Sequence, residues 1–258
     1  MKKTALTIDD ATIGYRQGKK VVSVAEGINV SLHCGELVAL IGRNGAGKST
    51  LLRTLSAFQK PLLGVVCLSG KNVSDLSTRD VSKEVAVVLT ATEAAPLTVR
   101  ELVSLGRTPY TDFIGRMTAK DVSAVDKAIN AMGIEHLADR KLATLSDGER
   151  QKCMIAKALA QETPIILLDE PTAFLDFASK VNLLRLLKQL AQEEQKAILV
   201  STHDIELALR LADGIWLLKD GKLNAGSIDE LANSGALQNF ICDAGIRYDK
   251  TERRIEII

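Results

Sequence analysis

The spacing of apolar residues changes several times along the chain, and each change predicts a different element. Residues 5–42 read as short strands joined by turns: Thr7, Ile8, Ala11 and Ile13 flank Asp9-Asp10, a turn is expected at Arg16–Lys20, and alternation resumes through Ile28–Leu32. The run Leu37-Val38-Ala39-Leu40-Ile41 is apolar throughout, as in a strand covered on both faces of a sheet. A glycine-rich turn follows it, then a helix from about Lys48. Val65–Leu68 and Val85–Leu89 are two more predicted strands.

From about 97 to 143 the period becomes helical, with breaks at Gly106, Pro109, Gly115 and Gly133. Thr98-Val-Arg-Glu101 has the form of a capping box, and Thr118-Ala-Lys-Asp121 that of its acidic variant. Alternation of strand and helix then returns. A helix is expected from Ser146, a buried strand at Ile165–Leu168 and a helix through Val181, Leu184, Leu187 and Leu190. A strand at Ala197–Ser201 and a helix at Ile205–Leu211 come next. Gly214–Leu218 and Lys222–Leu223 form a predicted hairpin about Asp220-Gly221. The last thirty or so residues carry weak signals. The pattern predicts an α/β fold with a mostly parallel sheet, an N-terminal antiparallel β subdomain and an inserted α-helical subdomain. The whole chain, 1–258, is expected to be a single domain, with a core of 1–96 and 144–258 and a helical subdomain of 97–143.

Composition narrows the function classes. The 258 residues include 33 Lys plus Arg against 32 Asp plus Glu, a net charge of +1. Without a basic excess, no nucleic-acid partner is expected. Apolar residues make up 46% and charged residues 25%, ordinary for a globular chain. No stretch approaches the ~18 apolar residues of a membrane helix, so a tie to a membrane must come through a partner. The residues after Lys2-Lys3 are interrupted by Thr4, Thr7, Asp9 and Asp10 and make no long apolar run, and no secretory leader is expected. Cys34, Cys67, Cys153 and Cys242 are scattered without metal-ligand spacing and read as reduced thiols.

Two motifs carry the chemistry. Gly42-Arg43-Asn44-Gly45-Ala46-Gly47-Lys48-Ser49 fits G-x-x-x-x-G-K-[ST] between a buried strand and a helix. Glycines allow successive N–H groups to turn toward phosphate, and the helix adds its positive end. Lys48 can reach terminal phosphates, and the Ser49 hydroxyl suits Mg²⁺, a hard ion that prefers oxygen. Thr50 follows on the same helix. The second motif is the apolar strand ending in Asp169-Glu170-Pro171. Ligands of parallel sheets gather at the carboxyl ends of strands, which puts Asp169 beside the loop as a metal ligand and Glu170 in position to polarise water. A strand ending in a solvated acidic turn would look the same in isolation; the upstream loop decides against it.

Leu145-Ser146-Asp147-Gly148-Glu149-Arg150-Gln151 is a capping box that opens a helix, and it also resembles the LSGGQ signature of the ABC ATPase family, with Asp147 and Glu149 as variant positions. The resemblance spans about residues 4–230. It implies a P-loop NTPase core that binds ATP with Mg²⁺. In the implied site, Ser146, Asp147, Gly148 and Glu149 bind ATP held by a second copy, with the Ser146 hydroxyl and the Gly148 N–H at its γ-phosphate. Tyr15 stacks on adenine, Ala173–Asp176 passes between the subunits, and His203 contacts the γ-phosphate and steadies Glu170. Lys48, Glu170 and His203 would be the catalytic residues, with Ser49 and Asp169 on the metal. The family's usual Gln after the strand at 85–89 aligns with Ala91, which has no oxygen to offer, so Thr90, Thr92, Glu93 or a water would stand in.

Val99-Arg-Glu-Leu-Val-Ser-Leu-Gly106-Arg107-Thr-Pro109-Tyr110 is similar to a stretch of importers for iron chelates, haem or cobalamin. This implies a homodimer at the cytoplasmic face of the cell membrane, two permease subunits and, indirectly, an extracytoplasmic substrate-binding protein. An exporter subunit is the nearer alternative, opposed by that stretch alone. A permease-free ATPase acting on ribosomes or DNA is the remoter one, for the chain has a single P-loop and no heptad segment or basic arm.

Overall fold

Two sheets with different hydrogen-bonding patterns form the frame. The computed structural model describes residues 2–18, 20–89, 96–112, 114–241, 246–249 and 254–257. The first sheet is antiparallel and contains β1 (Thr4–Gln17), β2 (Lys20–His33), β4 (Leu63–Leu68) and β5 (Lys71–Asn72), in the order β2-β1-β4-β5. The second has the order β10-β9-β3-β8-β7-β6. Its strands are β3 (Glu36–Gly42), β6 (Val85–Val88), β7 (Ile165–Leu168), β8 (Ala197–Thr202), β9 (Gly214–Lys219) and β10 (Lys222–Gly226). All its pairings are parallel except the β9–β10 hairpin, which turns at Asp220-Gly221 with both residues at positive φ.

The N-terminal strands are not short. Each runs for 14 residues, and in β1 Asp9-Asp10 is a bulge and not a break. The β1–β2 register shifts between Ile8 and Ala11, and Asp10 takes a φ of 44°. Asn29 Oδ1 accepts the Asp10 N–H at 2.9 Å, and Gly64 faces the bulge so closely that a Cβ there would lie 2.3 Å from the Asp10 carbonyl oxygen. A polar pair is thereby accommodated without ending the ladder.

Helix α1 (Lys48–Leu55) packs Leu51, Leu52 and Leu55 into a core between the two sheets. Helix α2 (Thr78–Glu84), absent from the sequence reading, is seven residues long and buries only Val81, too little for a period to show. The other face of the parallel sheet carries α5 (Asp147–Ala160) and α6 (Phe177–Glu193), and one apolar core joins them to α3 (Val99–Ser104) and α4 (Ala119–Ala131). Both predicted boxes form: Thr98 with Glu101 caps α3, and Thr118 with Asp121 caps α4. Helix α7 (Ile205–Leu211) leads to the hairpin. The weakly patterned tail folds as α8 (Ile228–Asn233), α9 (Ala236–Ile241) and the pair β11 (Ile246–Asp249) and β12 (Arg254–Ile257). It buries Leu231, Leu237, Ile241 and Tyr248 against Ala39, Ile41, Ile215 and Leu217 of the sheet. Cys34, Cys67 and Cys153 are free thiols, and Cys242 lies outside the described residues.

One buried cation ties the helical segment together. Arg107, 2% exposed, donates to Asp121 Oδ1 at 2.9 Å, to the Ala160 carbonyl at 2.7 Å and to Glu162 Oε2 at 2.8 Å. Gly106 beside it approaches α5 so closely that a Cβ would lie 2.3 Å from the Lys157 carbonyl oxygen. The Thr118 hydroxyl and N–H, with Arg107, lower the Asp121 carboxyl from 3.8 to about 2. A depressed acid stabilises the fold above its ordinary pKa and loses that contribution as pH falls through the folded value. Arg107→Ala is expected to cost about 3–5 kcal/mol, because it leaves Asp121 buried without its cation. In Asp121→Asn, the loss of stability between pH 4 and pH 2 should be shallower than in the parent, as acid titration of the thermal midpoint would measure.

Candidate functional site

The parallel register brings three strand ends side by side. β3 neighbours β8, and β8 neighbours β7, with Ile41 opposite Thr202 and Leu168 opposite Val200. The residues that follow, Gly42 after β3, Asp169-Glu170 after β7 and His203 after β8, therefore emerge at one edge of the sheet.

The glycine-rich loop joins β3 to α1. Gly47 has a φ of 107° and sits against Val24, where a Cβ would lie 2.1 Å from Cγ1. Gly45 also has positive φ, and Ala46 donates its N–H to the Arg43 carbonyl at 3.1 Å. Arg43, Asn44 and Gly45 are exposed at the tip, while Lys48 is 5% exposed. The Lys48 ammonium donates to the Gly42 carbonyl at 2.9 Å and lies 3.6 Å from Glu170 Oε1 and 3.5 Å from His203 Nδ1. Burial lowers the pKa of Lys48, and the nearby Glu170 and Asp169 oppose that shift. A buried cation behind a glycine-rich loop that ends at a helix N-terminus is suited to a polyphosphate.

The oxygen atoms group beside it. Ser49 Oγ donates to Asp169 Oδ2 at 2.8 Å, and Ser201 Oγ donates to Asp169 Oδ1 at 2.6 Å. Ser49 is exposed and Asp169 buried, so a hydroxyl and a carboxylate oxygen meet just beneath the surface, a donor set that fits Mg²⁺. Glu170 has a φ of 50°, an uncommon conformation for a side chain of this size. Its Oε1 pairs with His203 Nε2 at 2.5 Å, and its N–H is accepted by Ser201 Oγ at 2.9 Å. Lys48, Ser49, Asp169, Glu170 and His203 are thus one cluster.

Tyr15 lies near the end of β1 with its ring half exposed. Gln59 links that strand to the loop helix: its Nε2 donates to the carbonyls of Gly14 and Thr50 and to Thr54 Oγ1. Thr50, on the first turn of α1, is one of those anchors. Gln59 and Ser201 were missed in the sequence. A polar residue closing an otherwise apolar strand was the one available signal for Ser201, and none existed for Gln59.

Ser146 caps α5. Its Oγ accepts the Glu149 N–H, while its own N–H and hydroxyl donate to Glu149 Oε2. Those two donors hold the Glu149 carboxyl below its usual range. Ser146, Asp147, Gly148 and Glu149 line a concavity with Phe174, Leu175 and Asp176, in which no loop residue takes part among the described residues. Gly148 lies under Leu175, where a Cβ would come within 3.1 Å of Cδ2. Asp176 caps α6 through the Ser179 N–H, and Phe174 and Phe177 are 58% and 70% exposed beside it. The Ser146 cluster is therefore a surface of its own. Ala91 and its neighbours 90–95 lie outside the described residues.

Residues 25–173 match the family model described as ABC transporter. An uncharacterised ABC transporter ATP-binding protein of Methanocaldococcus jannaschii is 45% identical over 239 residues, covering 92% of this chain and 81% of that protein. The ferric enterobactin transport ATP-binding protein of Escherichia coli is 42% identical over 234 residues, covering 90% and 85%. A dimeric bacterial ABC transporter cassette superposes with a TM-score of 0.77 at 30% identity, covering 86% of this chain and 98% of the other, and it matches equally well in a post-hydrolysis state with ADP and Pi. The chain belongs to the ABC transporter family, as an ATP-binding cassette with ATPase activity.

Gly47→Ala is expected to raise the dissociation constant for ATP about five- to a hundredfold, since a left-handed φ and a blocked Cβ cost roughly 1–3 kcal/mol. Titration calorimetry checks it, and near-parental affinity would show that the loop tolerates the methyl group.

Proposed function

We propose that this chain powers an importer of iron chelates, haem or cobalamin by hydrolysing ATP between two copies of itself. The observation that carries the catalytic part is the convergence of Lys48, Ser49, Asp169, Glu170 and His203, while the serine-headed helix faces a different surface. A second copy would bring that helix to the phosphates.

Within the site, the loop from Gly42 to Ser49 holds the phosphates, and Lys48 exchanges its hold on the Gly42 carbonyl and Glu170 for phosphate oxygens. Tyr15 covers the base. Ser49 and Asp169 would hold Mg²⁺, which on binding neutralises charge on the phosphate oxygens. The Glu170 carboxylate accepts a proton from the attacking water as the water oxygen bonds to the γ-phosphorus and the γ-phosphorus–oxygen bond to the departing ADP breaks, while His203 orients that carboxylate and meets the γ-phosphate. Ser146 and the Gly148 N–H of the second copy complete the anion site, with Asp147 and Glu149 shaping the helix start. Hydrolysis removes the shared phosphate, and the pair opens, a switch biased by ligand between two states.

The chain acts as one cassette in which residues 97–143 are the helical unit that meets the permease. Supporting a membrane partner, a groove lined by Phe58, Leu76, Val81 and Lys157 opens beside that unit, with Phe58 64% and nearby Leu105 52% exposed. No described helix is long and apolar enough to cross a membrane. In this reading the route across belongs to two permease subunits, with this chain at their cytoplasmic face. The substrate class rests on relatives named for ferric enterobactin, iron(3+)-hydroxamate and cobalamin. An extracytoplasmic binding protein would deliver the cargo.

In Glu170→Gln, ATP binding should persist, turnover should fall at least about a hundredfold for loss of the base, and Mg²⁺-ATP should hold the protein as a dimer by light scattering. Near-normal turnover in that variant would remove Glu170 from its role.

A further inference from the structure

Ser201 is fully buried and belongs to neither motif, yet its hydroxyl uses its hydrogen for one acid of the site and a lone pair for the other. Oγ donates to Asp169 Oδ1 at 2.6 Å and accepts the Glu170 N–H at 2.9 Å. We infer that Ser201 is a positioning residue that sets the two acids as a unit, turning Asp169 toward Ser49 and holding the backbone of Glu170. This rests on the roles proposed above for Asp169 and Glu170.

Three features of the geometry support it. First, the bond to Oδ1 fixes which carboxylate oxygen remains for the cleft: Oδ2, the one that Ser49 meets at 2.8 Å. A carboxylate free to rotate would present either oxygen, and at variable angle. Second, Glu170 sits at a φ of 50°, a conformation that persists only where the surroundings enforce it. Its N–H, in hydrogen bond with Ser201, is one such restraint, and the bond of His203 to the carboxylate is another. Third, Ser201 lies in β8 itself, at the position following the Leu168–Val200 pair, so its hydroxyl is held by the sheet and not by a loop. An apolar residue here would pack as well in the strand but would take this partner from a part-buried N–H and leave the buried Asp169 carboxylate short of a donor, which disturbs the placing of the acids and not the fold alone.

The test separates positioning from simple stability. Ser201→Ala is expected to lower kcat for ATP about ten- to a hundredfold with KM for ATP changed less than about threefold, and to raise the Mg²⁺ concentration that gives half-maximal turnover. Ser201→Thr, which keeps the hydroxyl, should recover most of the rate. A readout independent of turnover comes from calorimetric titration with ATP in the Glu170→Gln background. There, Ser201→Ala should leave affinity without Mg²⁺ unchanged and reduce the gain on adding Mg²⁺ by about fivefold or more. If Ser201→Ala fails to fold, Ser201→Cys replaces it, since the thiol fills the site but is a weak donor and acceptor. Parental kcat and Mg²⁺ dependence in these variants overturn the inference, as does a lowered melting temperature with no change in the Mg²⁺ response. Glu170→Gln in the same assay distinguishes the two levels. Normal turnover there removes the reading of the site itself, whereas a stalled Glu170→Gln beside an unaffected Ser201→Ala removes only the role of Ser201.

Discussion

The parallel alignment of β3, β8 and β7 is the constraint on which the rest depends. A parallel sheet delivers the carboxyl ends of neighbouring strands to one edge, and here those ends carry a phosphate loop, two acids and a histidine. The loop would be an ordinary glycine turn without the buried lysine behind it, and the acids an ordinary solvated turn without the loop. What joins them is a short chain of hydrogen bonds, from Ser49 through Asp169 and Ser201 to Glu170 and His203. Backbone strain at Glu170 is localised at the same place, where chemistry benefits from a fixed carboxylate.

Much of this was legible in the sequence because the signals were local. Capping boxes at Thr98, Thr118 and Ser146 depend on residues three apart, and each forms. The hairpin about Asp220-Gly221 depends on two residues that tolerate positive φ. Buried strands show as unbroken apolar runs. Asp9-Asp10 misled for the converse reason: two adjacent acids look like a break, and only the partner strands reveal a bulge with Gly64 and Asn29 arranged around it. Helix α2 and the tail contribute few buried residues each, so no period rises above the background. Gln59 reaches Gly14 and Ser201 reaches Asp169 across the fold, and apart from the polar end of an apolar strand at Ser201 no local pattern marks either residue.

The importer-like stretch illustrates how a motif can carry structure and not specificity. Gly106 permits contact with α5, Arg107 neutralises Asp121 and Glu162 while binding the Ala160 carbonyl, and the Arg107 guanidinium stacks on Tyr110 with 4.2 Å to the ring centroid. Arg79 reaches back to the Pro109 carbonyl. These contacts explain why such a stretch is needed to dock α3 on α5 and α4, and none of them faces a cargo. Substrate class therefore rests on relatives, and the catalytic reading rests on the cleft.

The central claim is that each working site takes its lysine loop from one copy and its serine-headed helix from another. Lys48→Ala and Ser146→Ala damage opposite halves of such a site, so each purified alone should be nearly inactive. When the two are mixed with Mg²⁺-ATP, mixed pairs contain one undamaged site, and ATP turnover is predicted to reappear. A mixture no more active than its components would contradict the account.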